Sequence, residues 1–247
     1  WVSFSFHPQP RRHDGDVIRL RHSVLVLLFM FASHVVYNVS ADVARLAARP
    51  PPRRHGMASI PFPGHVQHGR SKLMETLHLK NSRLHLAIEP GAGASISSFA
   101  LCRDGQWVPV LRPTPPEHIA TGNSSAMSSF LLAPFSNRLT DARFSFEGQE
   151  YQLQANAEGG FAIHGCVRKR PWTLQEQTAD RLQLSLHTHE FPDLDFPFPF
   201  AVLVTYEITE DTLSASLALT NTGPAPMPAG LGFHPYFQRS LFDPAEN

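Results

Sequence analysis

"FAVLVTYEITEDTLSASLALT" (Phe200–Thr220) decides the fold class. Phe200–Ile208 is rich in β-branched and aromatic residues, which suit a pleated, largely buried strand. Thr209–Asp211 interrupts with polar residues. Thr212–Thr220 then resumes with apolar residues at roughly every second place. Two such runs joined by a short polar break read as a hairpin. The same alternation recurs in "RLQLSLHTH" (Arg181–His189) and "RLHLAIE" (Arg83–Glu89). "RFSF" (Arg143–Phe146) and "YQLQ" (Tyr151–Gln154) flank Glu147-Gly148-Gln149-Glu150, a second hairpin with glycine in its loop. Prolines cluster at Pro113–Pro116, Pro192–Pro199 and Pro224–Pro228, where strands have to stop. No stretch sustains a helical period. Many short strands with turns between them predict an all-β fold, sandwich or barrel.

The chain has 247 residues, and 42% of them are hydrophobic, enough for one large β domain with a sizeable core. The net charge is zero, but it is unevenly spread. Residues 1–73 carry ten Lys/Arg against three Asp/Glu; the remainder carries eleven against eighteen. The acidic larger part argues against nucleic-acid binding, which needs a basic footprint. Cys102 and Cys166 are too few for a disulfide framework and suit a reducing compartment. Residues 1–73 read as leader and linker outside the fold, and residues 74–247 as the β domain. The apolar run within 23–37 is broken at Ser33 and His34 and falls short of the ~20 apolar residues of a membrane span. No membrane partner is expected unless that run is a signal or an anchor. The location implied is cytoplasmic, or exported if the run is a signal peptide.

Several side chains could carry chemistry. In "AGLGFHPYFQ" (Ala229–Gln238), Pro235 restricts His234 to extended angles and places it at a strand end or edge. There it fills a gap at the rim of a β core or donates a proton at a pocket mouth. "APFSNRL" presents Asn137 and Arg138, an amide beside a guanidinium fork, donors for hydroxyls or carboxylates. "FAIHGCV" puts His164 just before Gly165 at the end of an apolar triplet. Trp172 in "RKRPW" is a stacking platform or a core residue. His187 and His189 share a strand face, with Asp193 and Asp195 after them, the type of cluster a metal uses. A solvated strand end explains that cluster equally, and no metal is expected. No phosphate-binding glycine loop or nucleophile elbow is present.

In order, the motifs are "NRL", "F-E-G-x-x-Y-x-L-x-x-N", "IHG" and "GFHPYF". Together they resemble the aldose 1-epimerases (galactose mutarotases), over the chain from about Met74 onward. "IHG", "RPW" and "FPFPF" look closest to the bacterial-type branch. The resemblance implies a large antiparallel β-sandwich and an isomerase that interconverts the α and β anomers of a hexose, within carbohydrate metabolism. It implies that Asn137 and Arg138 hold substrate, that His164 lies near the sugar ring oxygen and that His234 is the general acid. Tyr236 would cover the apolar face of the sugar. The family needs no cofactor and no metal.

That chemistry explains the residue types. A base takes the C1 hydroxyl proton, and an acid protonates the ring oxygen as the ring opens. Histidine suits the acid because it titrates near neutrality. A carboxylate suits the base. In the family that base is a late glutamate, and an aspartate precedes it. Neither has a counterpart in the thirteen residues after His234, so the sandwich is expected to be incomplete at its C-terminus. Such a chain would carry the acid half of the site, and a carbohydrate-binding module without turnover is the alternative.

Overall fold

The computed structural model describes the backbone of residues 3–4 and 34–40 and, with side chains, residues 74–239 and 241. The linker stretch 50–73 and most of the 23–37 apolar run lie outside the described residues. In chain order, the short strand β1 (Ser3–Phe4) runs parallel to β2 (His34–Ser40). Then come β3 (Leu77–Lys80), β4 (Leu84–Glu89), β5 (Ser95–Arg103), β6 (Gln106–Pro109) and β7 (Ser129–Leu132). Next are β8 (Arg138–Leu139), β9 (Arg143–Phe146), β10 (Gln149–Gln152) and β11 (Ala162–Ile163). The last five are β12 (Thr173–Gln177), β13 (Arg181–His187), β14 (Phe200–Ile208), β15 (Thr212–Asn221) and β16 (Gly232–Pro235). Among the described residues the one α-helix is α1 (Pro116–Ala120). No helix among them is long and apolar enough to cross a membrane.

Twelve of these strands form two six-stranded sheets, antiparallel apart from the β1–β2 pair, and β8–β11 and β9–β10 form two further antiparallel pairs. One sheet runs β1-β2-β15-β14-β13-β12; the other runs β16-β7-β5-β4-β3, with β6 also on β5. The sheets are packed face to face as a β-sandwich. Leu84, Leu86, Ile88, Phe99 and Leu131 from one share a single core with Leu182, Leu184, Leu186, Val202, Val204 and Leu217 from the other. Each such side chain contributes about 1.5–3 kcal/mol by leaving water. One polar bond crosses this core: the buried Tyr206 hydroxyl donates to the Ala94 carbonyl at 2.8 Å.

The quoted hairpin forms as read, with β14 and β15 in register from Phe200–Asn221 to Ile208–Leu213. Elsewhere the elements shift by a residue or two. The alternating run from Arg181 leaves the sheet at His187 rather than His189. The Thr188 hydroxyl takes over, bonding both the N–H and the C=O of Phe200 at 2.9 Å. The second hairpin is tighter than its sequence suggests. Phe146 pairs directly with Gln149, so the loop is only Glu147-Gly148, at φ 50° and 76°. Two positive-φ residues give the turn whose twist matches that of the strands.

This β9–β10 hairpin is held by rings. Phe144 stacks on Tyr151 at 5.0 Å and on Phe196 at 5.8 Å, and Tyr151 meets Phe198 at 5.1 Å. The "FPFPF" segment is therefore the rail on which the hairpin docks. The hairpin lies in the chain between the two strands of the short pair β8–β11, which carries Arg138 and leads into His164.

Candidate active site

β16 is the terminal strand of its sheet, so Pro235 costs no ladder bond to a further neighbour. In that strand Phe233 faces the shared core, and His234 takes the other face, opposite Phe130 of β7. The two rings stack with centroids 4.5 Å apart and planes 14° from parallel. Tyr236 lies 4.9 Å from the His234 ring. Its backbone is held at both ends: its N–H donates to Ser128 at 2.9 Å, and its carbonyl accepts from Arg112 at 2.8 Å. The Arg112 guanidinium lies 4.1 Å above the Tyr236 ring.

His164 reaches the same place from another loop. It has φ 64°, followed by Gly165 at φ 70°. That double turn brings the chain against the segment carrying Asn137. The His164 N–H donates to the Asn137 carbonyl at 3.0 Å, and the Cys166 N–H to the Ala133 carbonyl at 2.9 Å. The approach demands glycine at 165, since a Cβ there would stand 1.8 Å from the Ala133 carbonyl oxygen. Asn137 itself has φ 58°, a conformation asparagine tolerates better than most residues. Arg138 follows it, exposed, with its guanidinium 5.9 Å from the Phe161 ring.

The His164 and His234 rings lie 5.2 Å apart, edge to face. Phe130 underlies both, 5.7 Å from the His164 ring. The Nδ1 atoms of both histidines are buried and lack a partner among the described residues. Burial is the main force holding His164 down to about 4, and the charges of His234, Arg168 and Arg138 add to it. Burial also lowers His234; a backbone interaction opposes this, and Arg168 adds to it. His164 therefore rests neutral at pH 7, while His234 is only held below the ordinary imidazole value.

The structure thus brings His164, His234, Tyr236 and the Asn137 loop together, with Arg138 close enough to act on His164. Trp172 lies elsewhere. It is 1% exposed, sits in the shared core and donates its Nε1–H to the Val167 carbonyl at 3.3 Å. With no face open, it is a core residue and not a stacking platform. His187 and His189 do lie together, with rings 5.5 Å apart. Asp193, however, is engaged by Arg170 at 2.8 Å, and Asp195 accepts from the Gln154 N–H. Among the described residues there is no group of three or more side chains suited to a metal. Cys166 is half-buried, and the loss of water around it pushes its thiol up to about 12, so it stays protonated.

Sequence reasoning passed over three residues of this site: Phe130, Arg112 and Arg168. Phe130 reads as one more apolar residue in a buried strand. Arg168 belongs to "RKR", which reads as an exposed basic run, yet it is 4% exposed. Its place four residues after His164 is the only signal that it could turn inward.

Comparison with known proteins agrees with this fold. The family described as aldose 1-epimerase matches residues 75–243. Two uncharacterised Escherichia coli K12 proteins are similar. YphB is 35% identical over 141 residues, which is 56% of this chain and 46% of YphB. YihR is 31% identical over 170 residues, which is 68% of this chain and 51% of YihR. The chain thus spans about half the length of the curated relatives it matches. The crystal structure of a candidate aldose 1-epimerase from E. coli K12 superposes with a TM-score of 0.56 at 32% identity, covering 66% of this chain and 52% of that one.

Proposed function

The chain belongs to the aldose 1-epimerase family, and on that premise we propose that its site serves the interconversion of hexose anomers, with His234 as the general acid. One observation carries the reading. Two histidines, one from strand β16 and one from the turn after β11, meet at 5.2 Å against one aromatic ring, each with a buried Nδ1 unpartnered among the described residues, beside Tyr236 and the Asn137–Arg138 loop. A ring built this way into a wall is directional: its free edge serves a ligand.

The chemistry runs without redox change. A carboxylate base, which none of the described residues placed at this site supplies, would take the proton from the C1 hydroxyl. The O–H electron pair becomes the C1=O bond as C1–O5 breaks. The His234 imidazolium gives its proton to O5. Rotation about C1–C2 presents the other face of the aldehyde, and the reverse steps close the ring. His164 would lie beside O5 as a neutral ring. Tyr236 would cover the apolar face of the sugar, and Asn137 and Arg138 would bind its hydroxyls. General acid catalysis of this type contributes typically about 10²–10⁴-fold.

A second reading, sugar binding without turnover, is favoured by one fact: the charges that act on His164 are all positive. Polarimetry of freshly dissolved α-glucose and α-galactose, with calorimetric titration of the same sugars, separates the two. Accelerated mutarotation supports the enzyme. Binding with no acceleration supports the module. Neither effect, in folded protein, removes both.

A further inference from the structure

Arg168 is the one arginine of this site that is almost wholly buried, at 4% exposure. Its guanidinium donates to the Ser125 hydroxyl and lies 5.5 Å from the centre of the Phe130 ring. That is the ring on which His234 stacks and against which His164 sets its edge. The loop carrying it is immobilised: Gly93 packs so closely that a Cβ there would stand 2.2 Å from the Arg168 carbonyl oxygen. A guanidinium cannot neutralise itself in a protein, so this is a permanent charge inside an aromatic cage. Three other titratable or charged groups surround the pair. Arg138 stands on β8, Tyr236 follows β16 with Arg112 stacked on it, and each histidine faces the other.

We propose that Arg168 is a positioning residue for protons: its fixed charge, added to the burial of both rings, restricts the histidine pair to one proton, and Arg138, paired across the ladder from the residue before His164, leaves that proton on His234. A cage that already holds one cation admits a second only at the member that feels fewer positive neighbours. His164 faces Arg168 and Arg138 together with its partner ring. His234 faces Arg168 alone of these arginines, and its backbone favours the charged form. The outcome is one donor and one neutral ring at the same place, which is what protonating a ring oxygen beside a second imidazole requires. This deepens the mutarotase reading and rests on it for the use of the proton, but the protonation itself is measured without turnover.

The test is a proton–carbon NMR titration of the histidine ring signals in the whole chain, with His164 and His234 assigned from the spectra of His164→Gln and His234→Gln. Arg168→Gln removes the charge and keeps a donor for Ser125. The expected result is an upward shift of both midpoints, with a second proton entering the pair at higher pH than before. Unchanged midpoints in folded Arg168→Gln overturn the proposal. If that variant does not fold, the exposed Arg138→Gln decides. There His164 alone should move up, and an equal move of His234 overturns the placing of the single proton on His234. A merely structural Arg168 would alter stability and leave the midpoints in place. Failure of mutarotation with these shifts intact would sink the enzyme reading and leave the proton assignment standing.

Discussion

His234 owes its position to its neighbours in sequence. Pro235 enforces extended backbone, and Phe130 across the ladder supplies the floor. Removing the ring should therefore remove chemistry and spare the fold. In a chain that turns over hexose, His234→Ala should lower kcat by about 10²–10⁴-fold in polarimetric assays. His187→Ala, at the end of β13 in the other six-stranded sheet, should leave kcat within about twofold, the range of ordinary surface changes. Equal losses would mean that the His187–His189 pair takes part. His164 makes a separate prediction about stability. Its folded value is about 4 against 6.5 for the free side chain. Below pH 6.5 the unfolded chain binds a proton that the folded chain refuses, so stability falls as pH drops from 6.5 toward 4 and is unaffected by this group above 6.5. Urea midpoints measured from pH 8 to pH 4 should show that fall, and His164→Asn should flatten part of it. An identical slope in the variant would show that the ring is not held neutral by the fold.

The elements show which parts of the molecule were legible. Strands with clean alternation, such as Arg181–His187 and Thr212–Asn221, were readable because one face is buried and the other wet. Their ends were not, because ends are set by distant partners, as Thr188 is by the backbone of Phe200. The Glu147-Gly148 turn was readable as a turn but not as a two-residue one, since pairing register decides that. The motif residues were legible one at a time. Their assembly was not, because it depends on Gly165 docking against the Ala133 carbonyl, a contact with no local signature. That docking gives a test at this scale. Gly165→Ala combines a strained positive φ with a backbone clash and should cost about 2–4 kcal/mol, while also disturbing His164. Trp172 separates the two roles its sequence left open. As a core residue, Trp172→Ala should cost about 3–5 kcal/mol in denaturant melts. Any surviving folded fraction should bind hexose with unchanged affinity, and weakened binding at full stability would restore the stacking role.

At the scale of the whole molecule, the two sheets are held mainly by non-directional contact, which fixes that they pack but not their register against each other. The active face depends on that register indirectly. Gly93 precedes Ala94 and packs on the backbone of Arg168, and the Gly93 N–H donates to the Arg170 carbonyl at 3.1 Å. Ala94 in turn receives the Tyr206 hydroxyl from the opposite sheet at 2.8 Å. One directed bond through the core thus anchors the turn against which the Arg168 loop rests. Tyr206 is fully buried, and burial pushes its hydroxyl well above the usual tyrosine range, so it remains a donor throughout the working pH range. Tyr206→Phe keeps the ring, removes the donor and strands a buried carbonyl, at a cost of about 1–3 kcal/mol. If the bond only adds stability, the variant should melt earlier with the His164 and His234 midpoints unmoved. If it also sets register, the midpoints should move as well, because the Arg168 loop would relax away from the Phe130 ring. We expect the second outcome: the chain Tyr206–Ala94–Gly93–Arg168 is short, close-packed and has no flexible member to absorb the change. Unmoved midpoints with a lower melting temperature would show that the active face is positioned within its own sheet alone.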